Sequence, residues 1–353
     1  MNARVTGVLP SQTLRRMAAE GSIGGLTTDA QIQPASLDLT LGAEAIRLRA
    51  SFLPGAVPVS DRLPEFEMHR MDLTGGAVLE KGCVYLVPLR ERLSLPAEVS
   101  GKANAKSSTG RLDLLTRLIV DRGAEFDRIP EGYDGPLYAE ICPRSFSVLA
   151  REGDALNQLR LSQGDAALSD EELTHLNETE RLIDREVRMD GGLPFSVDLS
   201  PGQGIRGWRA RPHSGVVDLG RRDHDPAEFW EPVRPRGGGI VLDPGAFYIL
   251  VSREAVRIPP LHAAEMAPYL ALAGEFRVHY AGFFDPGFGH DVPARGVLEV
   301  RCHEAPFALE HGQIVGRLIF ERMAEAPETL YGAGIGSNYA GQGLKLSKHF
   351  AAP

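Results

Sequence analysis

The sequence predicts a mainly β protein built as two tandem domains, each a barrel or jelly-roll-like fold that opens with a short helix. Three observations lead there. Apolar runs such as "CVYLVPL", "FYILVS", "PLYAEI" and "GVLEVRC" are short, rich in Val, Ile, Tyr and Leu, and bounded by Gly, Pro or charge, as strands are. The chain holds 39 Gly and 25 Pro, which suits many strands joined by turns better than a helical bundle. Its 353 residues are enough for two ordinary domains, and they contain a repeated pattern.

The repeat is followed element by element. "LPSQTL" (9–14) matches "LSDEEL" (168–173), and each opens a helix. In the first, Pro10 or Ser11 starts a helix with Leu14, Met17 and Ala18 on one face; in the second, Ser169 and Glu172 form a capping box. "QPASLDLTLG" (33–42) resembles "LPFSVDLSPG" (193–202), which pairs Ser36 with Ser196 and Asp38 with Asp198, an offset of 160. "EKGCVYLVPLRERLSLP" (80–96) resembles "DPGAFYILVSREAVRIP" (243–259), with Gly82 on Gly245 and Tyr85 on Tyr248. "YAEICPRSFSVLAREGDALNQLRL" (138–161) matches "VLEVRCHEAPFALEHGQIVGRLIF" (297–320) without a gap, with Glu140 on Glu299. A boundary near "SQGDAA" (162–167) gives domains 1–165 and 166–353.

Composition narrows the function. A formal charge of −9 argues against a nucleic-acid polymer as partner but leaves room for a small anion in a local basic pocket. Three cysteines (Cys83, Cys142 and Cys302) suit a reducing compartment, so a cytoplasmic location is expected. The N-terminal residues lack the apolar core of a signal peptide, and no apolar run approaches ~18 residues, so no membrane span is expected. "AKSSTGRLDL" (105–114) sets two serines between a lysine and an arginine: either an ordinary polar turn or a cradle for an anion.

Four stretches follow one another near the C-terminus: "HYAGFFDPGFG" (279–289), "VLEV" (297–300), "GQIVGRLIFERM" (312–323) and "YGAGIGSNYAGQG" (331–343). Together with "QPASLDLTLG" and "AKSSTGRLDL" they resemble the dCTP deaminases of the dUTPase-like superfamily, as two diverged family domains in tandem. The resemblance implies two dUTPase-like domains of β-clip, distorted jelly-roll form. Ser107 and Ser108 fall on the family's serine pair and Arg111 on its arginine, residues that hold a triphosphate. Lys106 replaces the family's first arginine, keeping charge but losing the planar fork. In the family the site lies between subunits of a trimer, which implies a homo-oligomer. The second copy has no Ser, Lys or Arg at 258–276, and the first reads "GAEFDRIPEGYDG" (123–135) where the second reads "AGFFDPGFG". The resemblance therefore implies one composite site, with Ser107 and Arg111 from the first copy and His279, Ala281, Gly282, Asp285 and Glu299 from the second.

Deamination of cytosine needs a water at C4 and a proton route to the leaving amine. Zinc deaminases carry a Cys-x-x-Cys motif, which this chain lacks, so no zinc is expected. The resemblance implies a metal-free route in which a glutamate shuttles protons, Glu299 being the first choice and Glu140 the second. Asp285 either hydrogen-bonds the deoxyribose 3′-hydroxyl or caps the Asp-Pro-Gly turn. His279 is either structural or positions water. Phe283 and Phe284 either fill the core or wall off a 2′-hydroxyl. Tyr331, Asn338, Tyr339 and Gln342 match the family's lid over the nucleotide; Asn338 stands where the family has lysine, which Lys345 or Lys348 would replace. Mg²⁺ is expected on the triphosphate, without protein ligands. The leading function is conversion of dCTP to dUTP and ammonia. The alternatives are a dUTPase or bifunctional enzyme that yields dUMP, and a non-catalytic nucleotide sensor. dTTP is the inhibitor that the resemblance implies.

Overall fold

The computed structural model describes residues 6–202, 204–235, 237–268, 276–279, 282–332 and 343–352. It divides into two compact units. The first comprises Met1–Ala166, Gly215–His224 and Met323–Thr329; the second comprises Ala167–Ser214, Asp225–Arg322 and Leu330–Pro353. The break falls at Ala166/Ala167, but neither unit is the single continuous segment that the repeat-based boundary implies. The two stretches that belong to the first unit from farther along the chain carry no sequence signal of that kind.

Within the first unit one sheet runs Glu67–Asp72, Glu44–Leu48, Val84–Ser94, Asp134–Pro143, Leu114–Val120. A second joins Gly7–Val8, Ala155–Gln163, Val99–Ala105 and Arg128–Ile129, with Leu37–Thr40 also on Ala155–Gln163. A third small sheet pairs Ala77–Leu79 with Val148–Ala150. The second unit has the same pattern: Trp230–Val233, Gly207–Ala210, Phe247–Val256, Ala294–Cys302, Phe276–His279 in one sheet, and Leu193–Ser196, Ile314–Arg322, His262–Pro268, Phe283–Phe284 in the other. All these pairings are antiparallel, and buried residues alternate with more exposed ones along strands such as Val99–Ala105, as a sheet with one core face requires. The core of the second unit gathers Phe195, Leu250, Leu298, Leu318 and Phe320, each fully buried or nearly so.

Both predicted helices form. Ser11–Ala19 follows Pro10 and buries Leu14 and Met17. Asp170–Glu180 carries the predicted capping box: Glu172 N–H donates to Ser169 Oγ at 3.3 Å, and Ser169 N–H donates to Glu172 Oε2 at 2.9 Å.

The strand registers correct one sequence match. Leu37 lies opposite Leu159 and Thr40 opposite Ala155; Leu193 lies opposite Leu318 and Ser196 opposite Ile314. Since 318 − 159 and 314 − 155 both equal 159, Thr40 corresponds to Ser196 at an offset of 156, not 160. Ser36 and Asp38 therefore do not correspond to Ser196 and Asp198; the register counterpart of Asp38 is Pro194. Side-chain bonds agree. Thr40 N–H and Oγ1 clasp Glu91 at 2.9 and 2.6 Å, and Ser196 N–H and Oγ clasp Glu254 at 2.8 and 2.5 Å. The recurring "S-x-D-L" is a similarity of letters; hydrogen bonding to the neighbouring strand fixes the true register.

Candidate active site

In the first unit the Val99–Ala105 strand delivers the serine–arginine turn. Lys106 is extended and precedes a single helical turn, Ser107–Gly110. Thr109 and Gly110 N–H both donate to Lys106 O, at 2.8 and 2.9 Å, and Arg111 N–H donates to Ser107 O at 3.2 Å. Ser107 is half-buried; Ser108 and Arg111 are buried. The Lys106 ammonium is paired with the Asp38 carboxylate. Its charge is thus already offset within this unit, which alters the expectation that it serves as a simple replacement for the family's arginine. Asp38, quoted in a motif but given no role from sequence, is the residue that sequence reasoning missed here.

Glu140 and Glu299 hold the same sheet position. Glu140 lies opposite Leu86 on one side and Arg117 on the other; Glu299 lies opposite Ile249 and His279. Both glutamates are buried, at 2% and 6% exposure. Their neighbours differ. Arg117 donates to Glu140 Oε1 through Nε at 3.1 Å and again through Nη2. The same guanidinium lies 3.6 Å from the centre of the Phe126 ring. Asp127 is next to this cluster. Burial pushes its carboxyl up to about 7, helped by Glu140 and opposed by the Leu118 N–H and Arg117. Glu140 is therefore committed to an ion pair inside its own unit. Across from Glu299 the register places a histidine in the strand Phe276–His279. Arg117 and Asp127 were not singled out from sequence; only the pairing register reveals that Arg117 occupies the row of His279.

The Asp-Pro-Gly turn of the second unit is tightly packed. Asp285 is buried, and its carbonyl accepts from Phe288 N–H at 3.0 Å. Phe284 is a core residue: its ring meets Phe195 at 6.4 Å and Phe288 edge-on at 5.0 Å. Phe283 is half-buried. Gly282 accepts from Met266 N–H at 3.1 Å through its carbonyl. Tyr331 settles on this turn, its ring 5.5 Å from Phe288 and its N–H donating to Pro286 O at 2.8 Å. Gly287 has φ +93, and an added Cβ would stand 2.9 Å from Leu330 Cβ, so this close approach requires glycine. Farther along, Phe350 packs against Trp230 and Phe229 at 5.8 and 5.4 Å. Ala281, Asn338, Tyr339 and Gln342 lie outside the described residues, as does the side chain of His279.

Asp198, aligned by letter with Asp38, has its own setting. Burial works against its ionisation, but Ser200 and Arg295 outweigh it and hold the carboxyl at about 2; Arg295 Nη1 donates to Asp198 Oδ2 at 2.6 Å. Among the described residues no group of three or more His, Cys, Asp or Glu is placed to hold a metal ion, and no helix is long and apolar enough to cross a membrane.

The two-unit β fold, with its serine–arginine turn and buried strand glutamate, is consistent with the dUTPase-like class. Residues 5–165 match the family model for the 2′-deoxycytidine 5′-triphosphate deaminase N-terminal domain, and residues 169–350 match that for the C-terminal domain. The chain belongs to the dCTP deaminase family of hydrolytic nucleotide deaminases. It is similar to a solved structure of 2′-deoxycytidine 5′-triphosphate deaminase from Agrobacterium tumefaciens: 53% identity, TM-score 0.90, covering 94% of this chain and 100% of that one. A dCTP deaminase of Natronomonas pharaonis is 31% identical over 193 residues, 54% of this chain and 89% of its own length. A "dCTP deaminase, dUMP-forming" of Corynebacterium glutamicum is 34% identical over 110 residues, 30% of this chain and 56% of its own length.

Proposed function

We propose that this chain hydrolyses the 4-amino group of dCTP, with Glu299 as the proton shuttle and Ser107, Ser108 and Arg111 as the seat of the triphosphate. One observation carries the choice of glutamate. Glu299 and Glu140 are equivalent in register, but Glu140 is tied to Arg117. A carboxylate that must take a proton from water and return it to nitrogen is hindered by a fixed guanidinium, which favours the ionised form. In the proposed step water adds to C4, Glu299 accepts its proton, and N3 is protonated. The C4–N4 bond then breaks as the proton of the new C4 hydroxyl passes by way of Glu299 to the amine, which leaves as ammonia while the C4 carbonyl of dUTP forms.

The hydroxyls of Ser107 and Ser108 and the guanidinium of Arg111 suit phosphate oxygens. Mg²⁺ enters this reading only as the counter-ion of the triphosphate. The two carboxylates nearest the turn in sequence and contact, Asp38 and Asp113, are engaged by Lys106 and Ser145, so neither is offered as a metal ligand. The motif set is divided by sequence: only the first copy retains the serine–arginine turn, and only the second retains "AGFFDPG". One composite site per chain, a homo-oligomeric state and inhibition by dTTP, which lacks the leaving amine, complete the reading. Product analysis after incubation with dCTP and Mg²⁺ tests it. dUTP with ammonia supports the reading. dUMP means that phosphate hydrolysis follows, as in the dUMP-forming relatives, and no turnover overturns it.

A further inference from the structure

We propose that Asp113 is a positioning residue: its carboxylate, anchored by Ser145, fixes where the serine–arginine turn presents Ser107, Ser108 and Arg111. The inference rests on the deaminase reading above. Asp113 is fully buried and has φ +54, a left-handed conformation that L-residues other than Asn and Asp rarely adopt. Three bonds made by this residue tie the turn in place. Its N–H donates to Gly110 O at 2.9 Å and closes the turn. Its carbonyl accepts from Arg144 N–H at 3.0 Å, and its Oδ2 accepts from Ser145 Oγ at 2.6 Å. Arg144 and Ser145 directly follow the Asp134–Pro143 strand, so the turn is fastened to the end of a strand paired on both sides.

The other end of the turn is held separately. Lys106 N–H donates to Leu156 O at 2.9 Å, and the Lys106 ammonium is held by Asp38. Between these anchors lie Ser107, Ser108 and Arg111. Arg111 is separated from Asp113 only by Leu112, whose side chain is 1% exposed. A shift at Asp113 therefore passes to Arg111 with little slack to absorb it. Asp suits the position on two counts: it tolerates left-handed backbone and supplies a side-chain acceptor. Glycine would satisfy the first alone, and alanine neither.

That difference yields the test. Steady-state kinetics with dCTP and Mg²⁺, dCTP binding by calorimetry and thermal melting are compared for the full chain and for D113G, D113N, S145A and D113G/S145A. D113G accepts the backbone but loses the anchor, so KM and the dissociation constant should rise about tenfold while kcat stays within about threefold. D113N keeps an acceptor for the Ser145 hydroxyl and should bind nearly as the parent does. S145A should weaken binding in the same direction, and the double variant should be no weaker than D113G, because the Ser145 bond is already absent there. Lower melting temperatures with unchanged KM and unchanged dissociation constant would show a merely structural role and overturn the proposal. So would fully additive effects in the double variant. Should D113G not fold, S145A leaves the backbone intact and decides alone. A parent that binds dCTP without turning it over defeats the deaminase reading, and the dissociation constants then still decide the role of Asp113.

Discussion

At the scale of single residues, Glu299 and Glu140 show how one strand position takes two settings. Both are buried glutamates on the second strand from the edge of a five-strand run. Glu140 faces Arg117 across the ladder and is held by it, while Glu299 has histidine in that row. Glu299→Gln keeps shape but cannot carry a proton; deamination should fall by at least about a thousandfold while dCTP affinity changes by less than about threefold, read by single-turnover kinetics and calorimetry. Glu140→Gln should leave turnover nearly intact and lower the melting temperature, because it leaves the half-buried Arg117 guanidinium with a weaker partner. The reverse result would move the chemistry to the first copy. Asp127 adds a pH signature. Its carboxyl is raised to about 7 by burial, so the folded state binds a proton that the unfolded chain releases near 3.8. That contribution is fully present below pH ~4 and is lost as pH rises towards 7. Asp127→Asn keeps an acceptor for the Leu118 N–H, which now donates to Asp127 Oδ1 at 2.7 Å. It should raise the melting temperature at pH 8, with the gain vanishing near pH 4; no gain at pH 8 would mean that Asp127 ionises there without penalty.

At the scale of elements, the strand Val217–Asp218 tests how far side-chain pairing fixes backbone. It joins the first unit by parallel pairing with Val148–Ala150, although it comes from the second half of the chain. Two backbone residues pair weakly by themselves. Arg151 adds a side-chain tie: its Nη2 lies 3.0 Å from Asp218 Oδ2 while Nη1 meets Oδ1. This pairing, aided by the Gly220 N–H, holds the Asp218 carboxyl at about 2. The contribution is therefore present above pH ~4 and is lost as pH falls towards 2. Arg151→Ala should speed amide exchange across residues 215–224 at pH 7 and leave the Glu140 strand protected. Exchange unchanged at 215–224 would mean that the strand is held by backbone alone. This element also marks the limit of what the sequence discloses. The long Val- and Tyr-rich strands, the capping box and the gap-free match of 138–161 with 297–320 are legible because period, caps and spacing are local properties. A two-residue strand has no period to read. The four-residue shift between Asp38 and Asp198 arises for a related reason. "SLDL" and "SVDL" match as letters, but register is set by the partner strand, which both copies pair with in the same way, skipping one residue at 156 and at 315. The serine turn was legible as a motif; its anchors, Asp38 and Ser145, were not, since each meets it only through the fold.

At the scale of the whole molecule, the question is how many reactions one chain performs at once. The sequence argues for one. The strand His262–Pro268 corresponds in register to Val99–Ala105, since Pro268 and Ala105 lie opposite Gly316 and Asn157, which are again 159 apart. Where the first copy continues into Lys-Ser-Ser-Thr-Gly-Arg, the second continues into Tyr-Leu-Ala-Leu-Ala-Gly, with no cation or hydroxyl suited to phosphate except the tyrosine. The first copy in turn places Asp127 where the second has Gly282: Asp127 O accepts from Ala103 N–H as Gly282 O accepts from Met266 N–H, and 266 − 103 equals the 163 that relates those strands. The first copy thus sets a half-buried carboxyl, beside the Arg117–Glu140 pair, where the second keeps the glycine of its Ala-Gly-Phe-Phe-Asp-Pro-Gly motif. Calorimetric titration of dCTP into the Glu299→Gln protein should therefore give one site per chain; two equivalent sites would refute the division of labour. Arg111→Ala should weaken dCTP binding at least about tenfold, because a buried phosphate charge loses its partner. The two variants damage different halves of the motif set, so mixing them after dissociation and reassembly separates two arrangements. Recovered activity, approaching a quarter of the parent's if one site in four draws both intact halves, means that the halves come from different chains. No recovery, with subunit exchange demonstrated by mass-tagged chains, means that each chain completes its own site.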